Sequence, residues 1–204
     1  MVDCSFIKPN GVVAHYKGRY ERAEQYLSDA LELSRTLEDR YSVATALDGL
    51  GLVKKAQCQF ADAQALFEES TSLFKEIGEY GSLAQALTHM GSALLEAGEA
   101  EVARKYFMDA LSIARDMQTL PVLMDALVGE AEIQARQGEV ESAFEILTAV
   151  SQNPSSSLAT KTHADQLRSD LLSKMPTQRV KTLKAKIHHE TIDSLVTDIL
   201  RDAD

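Results

Sequence analysis

The chain has no tryptophan, two cysteines, four prolines and no long apolar run in its 204 residues. A membrane-spanning helix needs about twenty consecutive apolar residues, so none is expected, and no signal-peptide pattern opens the chain. A soluble cytoplasmic protein is the expectation. Cys58 stands in a turn slot that is glycine in the other repeats and reads as a substitution rather than a bridge design, so neither a disulfide framework nor a zinc site is expected. Positive charge is scarce as well: 21 Lys and Arg face 31 Asp and Glu, a net charge of -10. Residues 1–154 hold 13 basic residues against 24 acidic ones, a balance that repels nucleic-acid phosphates and favours solubility.

Catalytic patterns are missing too. Gly49 and Gly51 fall within a helical stretch with no Lys-Ser/Thr after them, which excludes a phosphate-binding loop. His188 and His189 are adjacent, so on a helix they diverge by about 100° and cannot share one metal. Cys4, His15, His89 and His163 are scattered, with no partner at metal or triad spacing. Neither a cofactor nor an enzymatic activity is expected.

What the chain does have is a register. In steps of 40, Gly11, Gly51, Gly91 and Ala131 share one position, and Gly18, Cys58, Gly98 and Gly138 share another seven residues on. Ala23, Ala63, Ala103 and Ala143 follow, then Leu27, Phe67, Phe107 and Leu147, then Ala30, Ser70, Ala110 and Val150. Small residues facing large ones at a fixed period mark an array of helix pairs. The fold class expected is all-α, a right-handed superhelix of antiparallel helix pairs with about four repeats of period 40.

Residues 1–10 read as an irregular lead, 11–150 as four helix pairs and 151–204 as C-terminal capping helices. The register predicts a short first helix from Val12 to Lys17, a turn at Gly18 and a long helix from Tyr20 to Leu37. Further helices are expected over Ser42–Gln57, Phe60–Ile77, Leu83–Ala97, Ala100–Met117, Pro121–Gln137 and Val140–Val150, with Thr119 capping the helix that Pro121 begins. The Ser- and Pro-containing stretch 151–157 reads as a loop. Beyond it lie helices over Leu158–Lys174, Pro176–Lys186 and Glu190–Arg201. The basic run Lys174, Arg179, Lys181, Lys184 and Lys186 has no interleaved aromatic residue and reads as a face that docks on the acidic repeats.

The pattern resembles the tetratricopeptide repeat over residues 11–150. It departs from that repeat in its period of 40, in lacking a proline at the end of the second helix, and in Lys54 where a tyrosine is usual. The longer period is similar to that of the sensor array of the bacterial maltose-regulon activator. Segments 44–51 and 65–70, and the ending from Asn153, look like the C-terminal arrays of bacterial signalling (STAND-type) ATPases and transcriptional regulators. The resemblance implies a non-enzymatic protein- or peptide-binding module, the sensor or interaction part of such a regulator, with its ligand on a concave groove lined by the front helices.

Carried over by repeat position, the lining is Thr45, Asp48, Leu52 and Lys55 in the second repeat, Gln85, Thr88, His89, Ser92 and Leu95 in the third, and Asp125, Val128, Glu132 and Arg136 in the fourth. Leu52, Leu95 and Val128 among carboxylates suit a basic amphipathic helix or peptide; the alternative is solvated groove wall. A self-assembling scaffold is the other functional reading, a homo-oligomer joined through the apolar first repeat.

Overall fold

One device ends the helices of the described chain at twenty-residue intervals. Residues 38, 58, 78, 98, 118 and 138 have φ between +55° and +92°. After each, an amide reaches back to the carbonyl five residues earlier: Asp39 to Ser34, Gln59 to Lys54, Glu79 to Phe74, Glu99 to Leu94, Thr119 to Ala114 and Glu139 to Gln134, at 2.9 to 3.0 Å. These bonds satisfy carbonyls that a helix end would otherwise orphan. Gly78, Gly98 and Gly138 adopt this backbone without steric cost, whereas Glu38, Cys58 and Gln118 carry a Cβ there at about 1–2 kcal/mol each.

The computed structural model describes residues 10–173, 175–176, 178–181 and 192–202, with residues 10–18 and 202 given as backbone alone. The helices are α1 Asn10–Thr36, α2 Arg40–Ala56, α3 Phe60–Ile77, α4 Tyr80–Ala97, α5 Ala100–Asp116, α6 Leu120–Gln137, α7 Val140–Gln152, α8 Leu158–Ser173 and α9 Ile192–Asp202. A further helical turn covers 178–181, and no strand occurs among the described residues. The fold is therefore all-α and of the tetratricopeptide-like helix-pair class. No helix among the described residues is long and apolar enough to cross a membrane.

Three expectations need correcting. Gly18 does not turn the chain: α1 runs straight through it, so residues 12–17 form no separate front helix. A glycine inside a helix costs only about 1 kcal/mol, so it permits a turn without enforcing one. Thr119 occupies the N-cap position of α6 without a capping bond to that helix; its hydroxyl instead donates to Ala114 O at 3.3 Å, sealing the end of α5. Cys58 is disulfide-bonded, with its partner outside the described residues. Cysteine count argues against a framework of several bridges, but tertiary approach decides a single bond.

The chain divides into two compact units, Met1–Ala103 and Arg104–Asp204, with the division inside α5. In the first, α1 packs on α2, α2 on α3 and α3 on α4, and α2 also meets α4. Phe67 is fully buried, and its ring lies so close to α2 that a Cβ at Gly51 would come within 2.6 Å of it. Ser70, also buried, donates to Ala44 O at 2.9 Å, which satisfies a polar group at a small-residue position. Asp39 caps α2 by accepting the Ser42 amide at 3.1 Å, and the Ser42 hydroxyl and amide hold its carboxyl below the usual range.

In the second unit Phe107 packs on α6, where a Cβ at Gly129 would meet the ring at 2.3 Å. Leu123, Met124, Leu127, Ile133, Ile146, Leu147 and Val150 complete the core. The loop from Asn153 closes with the Ser155 amide bonded to Asn153 Oδ1 at 2.8 Å, and Ser157 Oγ accepts the Thr160 amide at 3.1 Å to cap α8. Helix α8 packs on α6 and α7 through Thr160 and Ala164, and α9 lays Leu195 and Val196 on α7. Arg179 of the basic run pairs with Glu141 at 2.9 Å, in line with its expected docking on acidic residues. Lys174, Lys184, Lys186, His188 and His189 lie outside the described residues, as do residues 1–9.

A polar staple recurs between successive repeats with its charges reversed. In the first unit Lys54 Nζ, at 2.7 Å, and Gln57 Nε2, at 3.3 Å, both donate to Glu24 and hold its carboxyl below the ordinary range. Two repeats on, the position of Glu24 is taken by Arg104, whose guanidinium donates to Glu130 at 3.1 Å and to Gln137 at 2.7 Å. Gln134 Nε2 also donates to Glu130, while its Oε1 has no hydrogen-bond partner among the described residues. Glu130 is 3% exposed, and burial pushes its carboxyl above the usual range, offset only in part by the Arg104 charge and hydrogen bonds.

Two substitutions should act in opposite directions in urea unfolding. Glu38→Gly relieves a left-handed backbone and should stabilise by about 1 kcal/mol. Gly51→Ala should destabilise by about 1–3 kcal/mol despite better helix propensity, because Phe67 has no space to retreat into. The staple should show a pH dependence. Because the folded pKa of Glu130 is raised, its contribution is fully present below the unfolded value of about 4.3 and is lost as pH rises through the folded one. Arg104 offsets the cost of ionising that buried carboxyl, so Arg104→Leu should cost about 3 kcal/mol near pH 7, where it leaves the charge unpaired, and clearly less near pH 4.5, read by urea unfolding at both.

Candidate partner-binding surface

The candidate residues of the first unit lie on α2 and α4, which face each other across one repeat. Asp48 and His89 meet there, with Nδ1 of His89 at 3.0 Å from both carboxylate oxygens. A carboxylate partner makes Nδ1 the protonated nitrogen of the ring. Two turns of helix further on, Lys55 Nζ donates to Ser92 Oγ at 2.5 Å and pairs with Glu96 at 3.0 Å. Asp48–His89 and Lys55–Glu96 are both separated by 41 residues, one repeat plus one. Opposite or complementary groups at that offset are cross-helix partners, a spacing that single-helix reasoning passes over.

This corrects the expectation that His89 has no partner. It also explains why a histidine can stand there. Positions 49, 89 and 129 are equivalent by the repeat. Gly49 leaves room for Leu27, with a built Cβ at 2.8 Å from it, and Gly129 does the same for Phe107. At position 89 the imidazole fills that space, its centroid 6.2 Å from the Phe67 ring and tilted by 44°. Ser92 shares the helix with His89, but its hydroxyl is engaged by Lys55 and no hydrogen bond joins it to His89 among the described residues. The Ser, His and Asp therefore do not form a nucleophilic triad. No group of three or more His, Cys, Asp or Glu converges as metal ligands among the described residues.

The surface around these ties is open, with Leu52 between them and Tyr41, Thr45 and Gln85 on the N-terminal side of the Asp48–His89 tie. Leu52 is 37% exposed, Thr45 and Gln85 are exposed, and Tyr41 is 49% exposed with its ring edge-on to Phe74 at 5.8 Å. Tyr41 escapes a repeat-position search because it lies one turn before the predicted lining. Thr45 donates to Tyr41 O at 2.9 Å, within its own helix. Thr88 and Leu95 are buried, and Thr88 Oγ1 is spent on Ala84 O at 2.8 Å.

In the second unit the expected lining is largely occupied. Asp125 accepts from Thr160 of α8 at 2.5 Å, and Glu132 takes Arg136 at 2.6 Å and lies 3.9 Å from His163 of α8. Val128 is 2% exposed. The α6 face is thus tied to α8 at Asp125 and Glu132, while Asp125 and Arg136 remain exposed.

Six αL turns at twenty-residue intervals, antiparallel pairs packed small on large, and a polar front-helix face define a helical-repeat binding scaffold. The family model for the tetratricopeptide repeat matches residues 6–76 and 56–116, and the chain belongs to that family. Such repeats are typically non-catalytic protein-binding modules. No curated protein matches the chain.

The Asp48–His89 tie is measurable. A double-mutant cycle with Asp48→Asn and His89→Gln should give a coupling of about 0.5–1.5 kcal/mol near neutral pH in urea unfolding. Coupling near zero would show that the two side chains are neighbours without an energetic link.

Proposed function

We propose that the α2 and α4 face of the first unit binds an amphipathic helix or peptide from a protein partner. The observation that carries this reading is the exposed apolar pair Tyr41 and Leu52, on the same face of α2 as two self-satisfied polar ties, with Leu52 between the ties and Tyr41 two turns before the first. The ties remove charges that would otherwise need a partner, so the pair offers apolar contact in a fixed frame. The acidic balance of the repeats favours a basic partner through long-range attraction. Segments 44–51 and 65–70 support a further step, that the module is the sensor or interaction part of a bacterial signalling or transcriptional regulator.

The test uses a synthetic helix of alternating Leu and Lys faces, followed by fluorescence anisotropy against the full chain. Binding should weaken about tenfold or more on Leu52→Asp. An otherwise identical helix with Glu in place of Lys should bind more weakly than the basic one. If Leu52→Asp leaves affinity unchanged, the peptide is held by charge alone and the apolar pair is not the site.

A further inference from the structure

Helix α1 stands where the second helix of a pair belongs, and because it runs straight through Gly18 no first helix lies beside it among the described residues. One repeat on, that first helix is α2, which meets α3 through Gly51 at Phe67 and through the Ala44 carbonyl at Ser70. The flank of α1 that faces α2 is served, since Gly49 lies against Leu27 and Lys54 reaches Glu24. The other flank carries Tyr26, Ala30, Leu33 and Leu37.

Tyr26 is 74% exposed, Leu33 59% and Leu37 68%, and Ala30 is exposed with them. Their equivalents on α3 are covered: Leu66, Leu73 and Ile77 are half-buried and Ser70 is buried. Leu37 stays in helical line, its amide bonded to Leu33 O at 3.0 Å. At about 100° per residue the four side chains fall within about 60° of arc, spaced four, three and four, the spacing of a seam between paired helices. A contiguous apolar patch of this kind, on the order of a few hundred Å², marks an interaction surface.

We propose that this seam is a self-association surface, on which a second copy of the chain lays its own α1 antiparallel. The pattern itself selects that occupant, because reversed by a two-fold axis it complements itself. With the axis between residues 31 and 32, Ala30 faces the second copy's Leu33 and Tyr26 faces its Leu37. A small residue then meets a large one on each side of the axis, and all four side chains are covered. Asp29, beside the seam, comes opposite Thr36. The other antiparallel register, with the axis at residue 28, sets the two Asp29 carboxylates side by side and leaves Leu37 against Arg19, so charge selects the first. The area covered falls short of the roughly 600 Å² per partner of a permanent interface, which makes the dimer reversible, with a Kd on the order of 10 μM. The α2 and α4 peptide surface takes no part in it.

Sedimentation equilibrium of the full chain in reductant tests it, with circular dichroism to confirm folding. The expected result is a reversible dimer that Ala30→Glu and Leu33→Lys each weaken about tenfold or more at unchanged helicity. Both positions are exposed, so neither change enters the core. Mixing the two variants should restore the dimer, because the new carboxylate of one chain then faces the new ammonium of the other. Leu52→Asp, on the peptide surface, should leave the dimer intact. A monomer at every concentration, a dimer that survives either seam substitution, a mixture that stays monomeric, or a dimer that Leu52→Asp also dissolves would overturn the proposal.

Discussion

The left-handed turn placed every twenty residues is the constraint on which the rest depends. Each turn spends one residue in the αL region and returns the chain antiparallel, so α2 to α6, each bounded by two such turns, have nearly the same length. Equal lengths carry side chains at a fixed offset into the same relative height on neighbouring helices. That regularity allows Phe67 to find Gly51 and Lys55 to find Glu96, through contacts across tens of residues that behave as if they were local. Half of the six turns use a residue other than glycine, which shows that the packing of the pairs is strong enough to hold an unfavourable backbone.

Within that frame, the repeats differ where one large side chain replaces a small one. Glycine at positions 49 and 129 admits the side chain of the preceding repeat, while His89 fills the equivalent space and spends its polar nitrogen on Asp48. Glu130 occupies the position of Leu50 and Met90, and its buried carboxylate is tolerable because Arg104 and Gln134 reach it. Such polar substitutions tie particular repeats to particular neighbours. A uniformly apolar stack would have no comparable means of distinguishing one register from the next.

The chemistry that remains on the surface is recognition chemistry. Where Ser, His, Asp and Lys come together on α2 and α4, each is already hydrogen-bonded to another, so the group stiffens a surface that exposes Leu52 between its members and Tyr41 just beyond them. On α6 the homologous positions Asp125 and Glu132 are engaged by Thr160 and His163 of α8, although Asp125 stays exposed.

Small residues at a period of 40 and large ones sixteen positions on are composition facts, and they alone make the helix pairs and most of the helix ends predictable; Phe60–Ile77 is read to the residue. The resemblance to the tetratricopeptide repeat follows from the same positions. Tertiary structure decided what no local pattern encodes. Gly18 is as good a turn residue as Gly98, yet it is helical, because a glycine permits both states and only packing partners choose between them. Leu95 and Val128 read as groove lining but are buried, and Asp125 and Glu132 are taken by α8, because exposure depends on which helix arrives next and not on the helix that bears the residue.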